Sequence, residues 1–120
     1  MSSFKVLYRY VELLAKETVK WFENDYNDLR DGKNGHTQHP EVVTHEHVVK
    51  RAIESANQVN QDKSHKDRKC YYAWFAGDGV YKNQHMKAVV KRSFYGKLRV
   101  TTAYFTSRIN PAEVELWPTK

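Results

Sequence analysis

Between residues 70 and 106 three strand-like runs follow one another, which commits this part of the chain to an antiparallel meander. Residues 70–75 are aromatic and strand-like, and Gly77, Asp78 and Gly79 open a turn region. Residues 86–94 form a second run, Tyr95, Gly96 and Lys97 turn it, and residues 98–106 form the third. The same segment holds the basic excess. From Asp62 to Arg108 there are eleven Lys or Arg against three Asp and no Glu, while the flanking segments are each slightly acidic. A sheet bearing concentrated positive charge among His, Tyr and Thr predicts a polyanionic partner, with RNA first among the candidates.

The segment ahead of the meander reads as helical. Phe4, Leu7, Tyr8, Val11, Leu14, Ala15, Thr18, Trp21 and Phe22 recur at helical intervals, most clearly from Lys16 onward, although Val6, Tyr8 and Tyr10 also alternate. Residues 24–40 are polar and carry Asp31, Gly32, Asn34, Gly35 and Pro40, which predicts a helix end and a long surface loop. Thr44 suits the N-cap of a further helix with Val48, Val49, Ala52, Ile53 and Ala56 as its apolar stripe. Residues 109–120 hold Pro111 and Pro118 and add or cover a sheet edge. Helices followed by strands predict an α+β domain over residues 1–120, with N-terminal helices packed on one face of a small C-terminal antiparallel meander.

Composition narrows the function classes. At 120 residues the chain has room for one domain, and no apolar run approaches the ~20 residues that a membrane span requires. The first residues lack the layout of a secretory signal, and the one cysteine, Cys70, excludes an internal disulfide. The expected location is cytoplasmic, either native or that of a target cell. Six histidines are many, yet no C-x-x-C or H-E-x-x-H spacing occurs, and His45 and His47 would diverge on a helix. No metal or other cofactor is expected. Histidine instead suits proton transfer near neutral pH, and metal-free RNA cleavage needs a base, a cation for the charged phosphorane and an acid. Along the third strand Leu98, Val100, Thr102, Tyr104 and Thr106 alternate with Arg99, Thr101, Ala103, Phe105 and Ser107, and neither set is wholly apolar. Lys87, Lys91 and Arg92 lie on the middle strand, so pairing sets lysines beside Thr and Tyr hydroxyls.

The order of residues resembles a known family. His39, Pro40 and Glu41 come first, then a helix ending in Ile53, Glu54 and Ser55, then the charged run 62–72, and finally Val100 to Thr106. This resembles the phage-associated branch of the barnase, EndoU, colicin and RelE-type (BECR) ribonuclease fold over roughly residues 16–110. The resemblance implies helices on a four- or five-stranded antiparallel sheet, metal-independent RNase activity, and a toxin or phage-effector role restrained by an acidic antitoxin or immunity protein. By position it implies His39 or His65 as base or acid, Arg68 and Lys87 on phosphate, and Thr102 and Thr106 orienting it. Lys66, Lys91, Arg92, Arg99 and Tyr104 are the expected RNA-binding residues. The alternatives are a non-catalytic nucleic-acid-binding module and a protein-interaction module that uses the same basic sheet.

Overall fold

The computed structural model describes residues 5–93 and 95–118; Phe4 and Phe94 of the expected elements lie outside them. The order is β1 (Val6–Val11), β2 (Thr18–Phe22), α1 (Glu23–Asp31), α2 (Glu41–Thr44), α3 (Glu46–Glu54), β3 (Gln58–Gln61), β4 (Arg68–Phe75), β5 (Gln84–Arg92), β6 (Leu98–Thr106) and β7 (Val114–Trp117). One seven-stranded sheet runs β1-β2-β6-β5-β4-β3-β7, antiparallel throughout except for the parallel pair β2–β6. This corrects the expected architecture. Among the described residues the sheet is mixed and dominant, the three helices are short, and two strands precede the first of them. No helix among the described residues is long and apolar enough to cross a membrane.

The expected N-terminal helix is the β1–β2 hairpin. A helix turns residues i and i+2 about 200° apart, which would separate Tyr8 from Tyr10; a strand keeps them on one face. Tyr8 pairs with Trp21 and Tyr10 with Val19 across the hairpin, so all four side chains meet the core together. The turn is held by Glu12. Its backbone N–H donates to the Glu17 carbonyl, and its buried carboxylate accepts from the Ala15 N–H and the Tyr71 hydroxyl, each at 2.6 Å. Lys16 takes a left-handed conformation to close it.

The central meander matches the sequence reading within two residues at each strand end, and α3 buries the expected Val48, Val49, Ala52 and Ile53. These pack on β4 and β5 and share one buried core with Tyr71 and Ala73 of β4, Met86, Ala88 and Val90 of β5, and Leu98, Val100, Ala103 and Phe105 of β6, which lie nearer α1 and α2. Strict alternation would have set Ala103 and Phe105 opposite Leu98 and Val100. A β-bulge removes the conflict. Val90 pairs with Val100 while Val89 pairs with Thr102, leaving Thr101 as the extra residue, its hydroxyl donating to the Val89 carbonyl. The apolar residues of β6 therefore all face the helices, and Arg99, Thr102, Tyr104 and Thr106 share the other side.

Two connections shape that other side. After α1, Gly32 caps the helix at φ +74°, and a Cβ there would come within 2.8 Å of Gln38, so glycine is required twice over. The loop then returns, and the His39 N–H donates to the Leu29 carbonyl. After β6 the chain crosses β5, β4 and β3 to add β7 beyond β3, and Ile109 packs on Cys70, Tyr72 and Val89 on the way.

Candidate functional site

Register places four rows of side chains across β4, β5 and β6 on the face away from α3. They are Arg68–Lys91–Arg99, Cys70–Val89–Thr102, Tyr72–Lys87–Tyr104 and Trp74–His85–Thr106. Most of the predicted site residues stand in these rows because β-strands direct every second residue to one face.

Around Tyr104 lie two grooves. The first, about 380 Å³, is lined by His36, Thr37, His39, Arg68, Thr102 and Tyr104, among others. The His39 ring stacks on Tyr104, with centroids 5.0 Å apart and planes 18° from parallel. His39 Nδ1 lies 3.1 Å from the Glu41 carboxylate, itself buried at the start of α2. A carboxylate only accepts, so Nδ1–H is the donor and the neutral ring keeps its lone pair on Nε2. Arg68 brings a guanidinium whose buried Nε has no hydrogen-bond partner among the described residues; the nearest carboxylate oxygen, on Asp67, is 3.9 Å away. One groove thus joins an oriented imidazole, a cation and threonine hydroxyls.

The second groove, about 300 Å³, is lined by Tyr72, Lys87, Tyr104, Thr106, Arg108 and Asn110, with Pro111. Its buried cation, Lys87, is already matched. Lys87 Nζ donates to Glu113 at 2.7 Å, and the same carboxylate accepts from the Tyr72 hydroxyl at 2.6 Å and from Asn60 at 3.1 Å. The two side chains are only 10% and 1% exposed. The rings of Tyr72 and Tyr104 flank the ammonium at 5.6 and 5.8 Å. Burial alone would pull the Lys87 pKa down, but the bond to Glu113 carries it above the ordinary value. Burial likewise would raise Glu113, and the bonds from Lys87, Tyr72 and Asn60 hold it below the ordinary carboxylate range. Both partners are charged at neutral pH, and Thr106 meanwhile donates to the Arg108 carbonyl.

No family model, curated protein or solved structure matches this chain.

Of the six predicted catalytic residues, the first groove unites His39, Arg68 and Thr102, and the second takes Lys87 and Thr106. His65 lines neither. It sits exposed on the β3–β4 loop, with its N–H and Nδ1 both directed to Asp62. Lys66, Lys91 and Arg92 border a third cavity of about 530 Å³, where Arg92 is bound by Glu17 at 2.8 Å. Arg99 approaches Asp25 at 3.9 Å, and its buried Nε lacks a hydrogen-bond partner among the described residues. Asp62, Cys70 and Glu113 bring ligand atoms within 4.8 Å of one another. They suit a cation poorly, because burial pushes the Cys70 thiol up to about 12 and Lys87 already holds Glu113.

Three participants were not singled out from sequence. From sequence Glu41 is, with Glu46 and Glu54, a helical carboxylate that could supply a base but not the orienting partner of His39, and His36 is one loop histidine among several. Glu113 carried the best available signal. Residues 55–112 contain no Glu, so a buried lysine on that sheet must draw its carboxylate from Asp or from elsewhere, and Glu113 is the first Glu to follow.

Proposed function

We propose that the chain binds RNA across the face away from α3 and cleaves it in the His39 groove without a metal. The observation that carries this reading is the His39 ring, stacked on Tyr104 and held through Nδ1 by Glu41, in one groove with Arg68 and Thr102. His39 Nε2 takes the proton of a ribose 2′-hydroxyl as that oxygen bonds to phosphorus. Arg68 balances the phosphorane charge and Thr102 orients it. The bond to the 5′-oxygen then breaks, and the protonated His36 imidazole supplies the leaving oxygen's proton. The products are a 2′,3′-cyclic phosphate and a 5′-hydroxyl. An acidic protein that covers Arg68, Lys91 and Arg99 would act as the restraining partner.

A binding module without turnover is the second reading, favoured by the matched charge of Lys87 and by His65, which is turned to Asp62 and lines neither groove. Labelled RNA incubated in excess EDTA, with His39→Ala and Arg68→Ala alongside, separates the two. Cyclic-phosphate ends that fall at least 100-fold in His39→Ala support cleavage. Intact RNA that co-migrates with the protein leaves the binding module. Intact RNA that does not bind removes both.

A further inference from the structure

The row farthest from the arginines differs in kind from the others. Trp74 is 42% exposed, uncommon for so large an apolar side chain, and it lies on β4 in register with His85 and Thr106. Its ring meets His85 edge-on, with centroids 5.0 Å apart and planes 68° from parallel. The strand beneath is pinned through the backbone. The Trp74 N–H donates to Asn57 at 2.6 Å, and its carbonyl accepts from Arg51 at 2.8 Å. His85 Nδ1 is buried without a hydrogen-bond partner among the described residues, and burial lowers the ring's pKa. The platform is therefore aromatic and uncharged, set on a sheet whose other end carries Arg68, Lys91 and Arg99.

A single nucleic-acid strand presents this same division: flat, neutral bases and anionic phosphates. We infer that Trp74, backed by His85, is a base-stacking subsite for a nucleotide flanking the one held in the His39 groove. The inference rests on the RNA reading and makes its substrate class single-stranded. Two strand spacings and two residues along the strand put Trp74 about 12 Å from Tyr104, within reach of one extended strand. Paired bases in a duplex keep their faces against one another and cannot lie on the indole. Stacking of this kind tolerates any base, because each has a π-face.

The test uses a 2′-O-methyl RNA oligomer, which cannot be cleaved because its 2′-oxygen is blocked, and a duplex of the same sequence. Tryptophan fluorescence and Kd are read for the wild-type chain, Trp74→Ala and Trp74→Phe, with thermal melting to confirm that each folds. The other two tryptophans, Trp21 and Trp117, are buried or partly buried against the core, so the quenching belongs mainly to Trp74. The expected result is quenching by the single strand, a loss of affinity of roughly tenfold or more in Trp74→Ala, and substantial recovery in Trp74→Phe. Equal affinity of the wild-type chain and Trp74→Ala overturns the subsite while leaving RNA binding intact. Equal quenching by the duplex overturns the single-strand assignment. No binding by the wild-type chain removes the RNA reading itself.

Discussion

Strand β5 faces two environments and meets each by a different physical route. Toward α3 it presents Met86, Ala88 and Val90, all nearly inaccessible, against Ile53 and its neighbours. Toward the grooves it presents His85, Lys87, Val89 and Lys91, in register with aromatic, hydroxyl and basic residues. The first face is closed by removing apolar area from water, about 1.5–3 kcal/mol for each large side chain. On the second, part of the surface is closed by the tail, with Ile109 over Cys70, Tyr72 and Val89 and Glu113 on Lys87. An apolar face is robust because its contacts are many and individually weak. The ionic closure depends on one carboxylate that serves three donors, which makes it stable while complete and costly when broken.

The largest effect expected from that contrast comes from Glu113→Leu. It leaves a buried ammonium, the Tyr72 hydroxyl and the Asn60 amide without their acceptor, and it costs about 3–5 kcal/mol in chemical denaturation. The paired replacement Lys87→Met with Glu113→Leu removes both charges and recovers most of the loss. If the single and double variants unfold at the same denaturant concentration, the ion pair is not what closes this face.

How much of this was legible in the sequence follows the same division. The three meander strands and the stripe of α3 were readable because Tyr71, Ala73, Met86, Ala88 and Val48, Val49, Ala52, Ile53 repeat at their own period within one element. The β1–β2 hairpin was not, since Leu7, Val11, Leu14, Thr18 and Trp21 keep a helical spacing while Val6, Tyr8 and Tyr10 keep a strand's over the same short stretch. What decides the matter is the parallel pairing of Val19 and Lys20 with Leu98 and Arg99, far along the chain. The face of β6 could not be assigned because one extra residue, Thr101, reverses the alternation midway. Within the site, His39, Arg68 and Thr102 were named from the family resemblance and the structure brings them into one groove. The link from Glu113 to Lys87 left only a compositional signal, the lack of Glu from 55 to 112, because a tail that crosses three strands leaves no periodic mark.

A smaller, graded effect sharpens the comparison through pH. Glu113 has its folded pKa below the ordinary 4.5, so its contribution is complete above that value and lost as pH falls through the folded pKa. Lys87 has its folded pKa above the ordinary 10.5, so its contribution is complete below that value and lost as pH rises beyond it. The ion-paired face therefore supports the fold across the neutral range and weakens at both extremes, whereas the apolar face carries no such dependence. Denaturation midpoints measured from pH 3 to 11 should show both limbs in the wild-type chain and shallower ones in the Lys87→Met, Glu113→Leu double variant. Limbs of equal slope in the two proteins would assign the pH dependence to other groups.

The smallest effect belongs to an ion pair of equally good geometry on the outside of α3. Lys50 Nζ sits 2.6 Å from Glu54, a slightly shorter contact than that of Lys87 with Glu113, but the lysine is about half exposed. Glu54 also accepts from the Val11 N–H at 2.8 Å, so the carboxylate keeps a partner when the lysine goes. Water solvates both charges before and after the change, and the pair is worth about 0.3–0.5 kcal/mol at most. Lys50→Ala should accordingly leave the unfolding midpoint nearly unchanged, with a still smaller effect in high salt. A loss approaching that of Glu113→Leu would mean that distance rather than burial sets the worth of these pairs, and the contrast between the two faces would fail.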